Sequence, residues 1–388
     1  MVTKPQAKGE DVGLGSAETP ESWAAARNLT QKLGYIPSSF SVAIRLLVSD
    51  QFENNANLRP VTKFQVARIL GTPTFLAMLY YATKEMRAGY ISDKKVLTVG
   101  AMMDHFDPID LAAMICCLLY YRKCRKFMGP DRWPKMATQI ALEAHFGCQV
   151  GVAVPEIGIG AGLIMGSLRH FALTAMALQN EGAFHDYTIS MKMKGITVDE
   201  ELERKKWGCT SRQIGVYLLS NVSFGVDIAN GYSTAMDPTA KWGNRPDQMM
   251  QRMMAAYTWI RGLMSGNNQP REKLPAVWFP AKGDIPAFEA ELAVIRRGKS
   301  HWLNRTKEEI SRELSPELYS KKTAAPAEME VPEELANVFS LEDITAMEEE
   351  EFDNLIDQMD REKEGKTKPG QVSLSSKDIQ ELEKMVDD

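Results

Sequence analysis

Apolar residues recur along most of this chain at steps of three and four, the period of an amphipathic helix. Trp23, Ala26, Leu29 and Leu33 open the series, and Gly34 stands where a helix stop belongs. After Pro37, the run Phe40, Ile44, Leu47, Val48 predicts a second helix that Ser38 or Ser39 can cap. Residues 61–69 predict a third. Thr72-Pro73 opens a fourth, with proline early in the helix, where a missing N–H costs nothing. Residues 96–103 and 108–121 follow, the latter apolar nearly all round and so expected at the centre of the core. A helix over 133–146 precedes a glycine-rich stretch, 147–166, within which Gly158 to Gly162 is read as close helix packing or a bend. Helices are then expected over 170–179, 184–194, 198–207, 211–219, 226–236, 248–264, 285–297 and 305–314. No alternating run and no hairpin turn between apolar runs is found, so the fold class is all-α.

Composition divides the 388 residues further. Residues 1–20 are polar and glycine-bearing and are expected to be disordered. Residues 21–270 read as the main helical domain, and 271–321 as a helical extension. From 322 to 388 the chain turns to Ala, Pro, Glu and Lys, a flexible acidic tail with short amphipathic segments. That tail holds 7 Lys/Arg against 20 Asp/Glu, a net −13, which leaves residues 1–321 at +8 within the overall −5. A basic body with an acidic tail implies that the tail masks the body, that each meets its own partner, or that the tail only aids solubility. No run reads as the roughly 18 apolar residues a membrane helix needs, because Asp110, Pro155-Glu156 and several glycines interrupt the longest candidates. No secretory signal is read at the start. Five cysteines without a C-x-x-C pair fit reduced thiols, and the expected location is cytoplasmic.

Several motifs in order resemble a known family. Leu33 to Leu47, with I-P-S-S-F-S-V-A-I-R-L-L, is similar to the opening L-P-x-L-P-x-x-x-x-R-L-L of HDOD domains. Thr72-Pro73-Thr74-Phe75 with Leu79 resembles that family's D-P-x-L-x-x-x-L without the aspartate. Trp133 with Ala137 and Ala141 resembles its W-x-x-S-x-x-x-A helix, and Gly162-Leu163-Ile164 its G-L-L-H-D-I-G. Glu203, Trp207-Gly208, Ile214-Gly215 and Leu218-Leu219 reproduce the spacing of E-x-x-x-hydrophobic-G-x-x-H-x-x-V-G-x-x-L-L. HDOD domains are bacterial signalling domains related to HD-type metal-dependent phosphohydrolases. The resemblance therefore implies an HD-like helical bundle and a role in signal transduction.

The departures bear on catalysis. HD enzymes hold divalent metal through dispersed histidines and aspartates that activate water. Carried over from the resemblance, the HD pair falls on Met165-Gly166, an earlier histidine on Lys135 or Met136, and a later one on Ser211. Thioether and glycine cannot replace imidazole and carboxylate on a hard metal. The expectation is a protein that is not an enzyme, with no catalytic residues, no metal and no cofactor. Its alternative is an HD-type phosphohydrolase acting on phosphoesters or cyclic nucleotides. Trp133, Gly162, Leu163, Glu203, Trp207, Gly208 and Gly215 are then architectural, with the glycines allowing close helix approach. Arg169, His170 and Lys135 are candidates for a cleft or anion site, although His170 on its apolar helix reads first as a satisfied core or interface histidine. His185-Asp186, literally an H-D pair, sits in polar sequence and reads as surface. The basic run from Arg122 to Lys126 either solvates a helix end or binds anions. Gly158 to Gly162 lacks the strand and the G-K-[ST] of a phosphate loop. Scattered basic clusters without an aromatic module argue against nucleic acid.

The tail carries a near-repeat, S-x-x-D-I-x-x-[ML]-E, at 340–348 and 375–383. Asp343, Ile344 and Met347 in the first copy correspond to Asp378, Ile379 and Leu382 in the second, with Phe352, Leu355 and Ile356 in a related cadence between them. Serine can cap such a helix, and the apolar pair lies on one face. The segments resemble the short acidic peptide with which the flagellar switch protein captures a response regulator. The expected partner is a protein, a response regulator or another signalling protein. Segments this short form helix on a partner surface or packed back on the body.

Overall fold

The computed structural model describes residues 18–86, 98–129, 132–240 and 248–297. The acidic tail and the docking residues expected in it, like the helix expected over 305–314, lie outside the described residues. One compact unit holds every described residue except Pro37–Ser39. The described residues are all-α, with no strand among them.

The helices are α1 (Pro20–Thr30), α2 (Ser38–Glu53), α3 (Pro60–Leu70), α4 (Pro73–Met86), α5 (Val99–Met103), α6 (Pro108–Met128) and α7 (Trp133–Ala153). After them come α8 (Ile159–Gln179), α9 (Glu181–Lys194), α10 (Glu200–Trp207), α11 (Ser211–Asn221), α12 (Val226–Met236), α13 (Gln248–Met264) and α14 (Ile285–Arg296). Local chemistry sets many boundaries. Thr19 and Ser22 form a reciprocal capping box at α1, as Thr210 and Gln213 do at α11. Proline opens α1, α3 and α6. α6 runs on through the basic stretch, leaving Arg125 and Lys126 in its last turn beside the negative end of the helix dipole.

α8 is the axis of the unit. Every residue from Ile159 to Ala177 is buried except Arg169. α8 packs against α6, α7, α11 and α13. Tyr120 of α6 lies with its ring 5.8 Å from that of Phe171 and donates to the Leu218 carbonyl of α11 at 2.7 Å, tying three helices together. By length and composition α8 could cross a membrane, contrary to the sequence reading that no run qualifies. Its Ile, Leu, Met, Phe and Ala residues raise the mean hydropathy despite the glycines among them. Its most apolar window is 89% buried inside the protein.

The glycine-rich stretch is helix on both sides of a single turn, and its contacts are the close helix packing read for Gly158 to Gly162. α7 continues to Ala153, Gly158 makes the turn at φ +80°, and α8 begins at Ile159. Gly147 and Gly162 face each other so closely that a Cβ on either would lie 2.0 Å from the other's carbonyl oxygen. Gly151 meets Gly158 and Gly166 meets Glu143 in the same way, so the contacts run in antiparallel register. Glycine inside a helix costs about 0.5–1 kcal/mol relative to alanine. The close approach of two backbones offsets that here, as it does wherever small residues recur every fourth position. Asp110 adds the start of α8, its Oδ1 accepting from Gly160 N at 2.6 Å.

The expected extension, as far as residue 297, is built onto the same unit. Trp259 of α13 donates to the Trp278 carbonyl at 2.7 Å, and its ring meets Phe288 of α14 edge-on at 5.6 Å. The Arg296 guanidinium lies 5.9 Å over the Phe146 ring of α7.

Candidate functional site

The stretch from Ala161 to Phe171 presents three different surroundings. Met165 is buried, and a Cβ on Gly166 would fall 2.3 Å from the Glu143 carbonyl oxygen. The two positions that the resemblance pairs with the metal-binding H-D are therefore packing positions, and the second has no room for any side chain. Lys135 is exposed near the start of α7 and Met136 is buried beside it. Trp133, the first residue of α7, stacks edge-on against Tyr121 at 4.8 Å.

Around Glu203 the sequence-selected residues do converge. Glu203 is fully buried, and its carboxylate accepts from Ser211 N at 2.6 Å, Ser211 Oγ at 3.0 Å and the Tyr187 hydroxyl at 2.6 Å. Arg169 Nη2 lies 3.6 Å from the same carboxylate and donates to the Thr197 carbonyl at 2.6 Å. Burial works against the Arg169 charge, but Glu203 and the neighbouring phenols outweigh it and raise the guanidinium pKa. Burial, then the Glu203 charge, pushes the Tyr187 phenol upward. Trp207 donates to the Met176 carbonyl at 3.2 Å and meets the Tyr187 ring edge-on at 5.6 Å. Gly215 is a close-approach position, where a Cβ would fall 2.4 Å from the Tyr232 ring. Gly208 has a different role from the expected one: it ends α10 in the left-handed region at φ +75°, and a Cβ there would make only an ordinary contact, 3.6 Å from Ala25 Cβ. A second cluster joins α11 to the start of the chain. Arg212 holds Glu200 and Glu18 at 2.7 Å each, and Gln213 reaches Ser22 at 2.7 Å.

Arg169 and His170 do not form one anion-holding pair. Their side chains leave α8 in different directions, and each meets a carboxylate already in place: Glu203 for Arg169, and Glu143, whose Oε1 is 2.9 Å from His170 Nε2. The His170 contact has the distance of an ion pair but lies off the line that a hydrogen bond needs. His185 is exposed on α9, and Asp186 faces Lys206 at 3.4 Å. Among the described residues, no three His, Cys, Asp or Glu side chains come together as a metal-holding group.

The third face of the stretch borders a cavity of about 230 Å³ between α4, α6, α7 and α8. Leu163, Ser167 and Phe171 of α8 line it, opposite Met78 of α4 and Met114 of α6. Its polar groups among the described residues are few: Cys117 Sγ and Ser167 Oγ, 3.0 Å apart, His145 and Cys148 of α7, and Tyr121 of α6. Of the cleft residues expected from sequence, none lines it; Leu163, expected as architecture, does. The only sequence signal was the spacing Leu163, Ser167, Phe171, one helix face in which a small polar residue interrupts large apolar ones. The other walls come from α7, the preceding helix, and from α4 and α6 further back in the chain.

No protein-family model, no curated protein and no solved structure compared with this chain matches it.

Proposed function

We propose that this is a non-catalytic, HDOD-like signalling protein that works in the cytoplasm by protein–protein contact. The observation that carries the reading is the closure of position 166. A side chain there would enter the α7 backbone, so no variant of this packing could place an aspartate on that face of α8. Ser211 supports it, since its hydroxyl and amide both serve the buried Glu203 carboxylate instead of facing an open site. The Glu203 cluster is fixed by hydrogen bonds on every side, which suits a scaffold whose surfaces are read by other proteins. The acidic tail, through the apolar pairs at Ile344 and Met347 and at Ile379 and Leu382, either recruits a partner such as a response regulator or masks the basic body. The reading calls for no metal and no cofactor.

Two measurements test it. Elemental analysis of the purified full-length protein should find no stoichiometric transition metal; one iron or manganese per chain would overturn the reading and favour an HD-type phosphohydrolase. Affinity capture with the full chain and with a chain ending at Lys321 should differ in specific partners. Identical partner sets would refute a docking role for the tail.

A further inference from the structure

We propose that the cavity between α4, α6, α7 and α8 is a binding site for a small, neutral, apolar molecule carrying a single hydrogen-bonding group. The site goes beyond the signalling reading and stands whether or not that reading holds. An apolar cavity of roughly 150 Å³ is enough to take up benzene. At about 230 Å³, this one has room for two fused rings or a short alkyl chain. Met78, Met86 and Met114 give walls that adapt to different outlines, and Tyr121 and Phe171 give flat ones. On α7, Ala141 contributes only a methyl group, where a longer side chain would enter the space.

The wall chemistry selects against charge. Among the described residues no Lys, Arg, Asp or Glu lines the cavity, and those walls offer an ionised ligand no counter-charge. Ser167 Oγ lies 2.6 Å from the Leu163 carbonyl and gives its proton there. The Cys117 thiol is then the donor to Ser167 at 3.0 Å. Burial pushes that thiol up to about 12, which keeps it neutral. The ligand's polar end therefore meets this pair, with lone pairs on its oxygen and sulfur, or the His145 imidazole. Cys117 is also the one cysteine of the five that is not fully buried, which fits its place on the cavity wall.

The test is a titration of the full-length protein with the neutral two-ring fluorophore 1-naphthylamine. One-to-one saturable binding with blue-shifted emission is expected, displaced by 1-octanol and not by octanoate at pH 8. Ala141→Leu should weaken dye binding at least ten-fold while the helical signal and cooperative melting persist; Cys117→Leu is the second such variant should the first not fold. Absence of saturable binding by the wild-type chain, equal competition by octanoate, or undiminished binding in a folded variant would each overturn the site. A metal found by elemental analysis would sink the signalling reading and leave this competition result untouched.

Discussion

On one face of α8, Gly162 sits so close to Gly147 that neither position has room for a methyl group. One residue further on, about 100° round the helix, Leu163 begins a face that, with Ser167 and Phe171, borders a cavity of about 230 Å³. The same helix thus meets α7 with no tolerance along one edge and leaves space along the next. The difference shows where rigidity is made: the backbone seam fixes α7 against α8, so the cavity between their side chains and those of α4 and α6 need not collapse. Native interiors have few voids larger than a water molecule. One that persists beside so tight a seam is held open by the backbone.

The sharpest way to break this contrast is to put a side chain into the seam. Gly162→Val should cost more than about 4 kcal/mol, because its Cβ alone would lie 2.0 Å from the Gly147 carbonyl oxygen and the two backbones would have to separate. Urea denaturation followed by circular dichroism should show loss of the cooperative transition. Ser167→Ala, on the cavity face of the same helix, should cost only about 1 kcal/mol. Equal losses at the two positions would mean that the seam is not what holds the helices.

Next in size comes the buried Glu203 carboxylate. Glu203→Ala would leave the Ser211 amide, the Tyr187 hydroxyl and the Arg169 guanidinium without their shared acceptor. Removing one partner from a buried charge pair costs about 3–5 kcal/mol. Ser211→Ala removes one hydroxyl from the same cluster and should cost about 1 kcal/mol. Chemical denaturation of the two variants side by side measures the ratio; near-equal effects would show that Glu203 draws little from its neighbours.

Helix class and many boundaries were legible in the sequence because capping residues, prolines and three-four spacing act within a few residues. The expected bounds 226–236 and 248–264 coincide with α12 and α13. What escaped depended on partners remote in the chain. Close packing or a bend could be read at Gly158 to Gly162, but only the fold shows that Gly147, Gly151 and Gly166 join them in one seam and which backbone each meets. The carboxylates that meet Arg169 and His170, Glu203 and Glu143, lie on other helices, so adjacency in sequence suggested a pair that the fold separates. Glu203, Trp207 and Gly215 could be singled out because their spacing formed a motif. The cavity could not, since a void has no residue of its own.

A third experiment compares two neighbouring thiols. Burial raises Cys116 well above its ordinary range and brings Cys117 and Cys124 to about 12. In the unfolded chain a thiol ionises near pH 8.5. The folded pKa values are the higher ones, so their contribution to stability is complete below about pH 8.5 and is lost as pH rises towards about 12. Urea midpoints should therefore hold steady up to about pH 8.5 and fall above it. Iodoacetamide labelling read by mass spectrometry should modify Cys117 first in the native protein, because it borders the cavity while Cys116 is fully enclosed. Cys116 reacting first would mean that the cavity is not reached from solvent.

The smallest effects belong to the outward surfaces, where the same elements face neither seam nor cavity. Lys135 is exposed on α7 and His185 is exposed on α9. Substitutions at such positions usually change stability by less than about 0.5 kcal/mol. Lys135→Ala and His185→Ala should therefore melt with the wild-type protein, and both should bind 1-naphthylamine unchanged, since neither residue lines the cavity. The comparison gains from this null pair because Lys135 shares a helix with Gly147 and Ala141. If all three α7 positions responded alike, helix integrity alone would explain every loss. A graded response, with loss of folding at Gly147, loss of dye at Ala141 and no change at Lys135, requires three distinct surfaces on one helix.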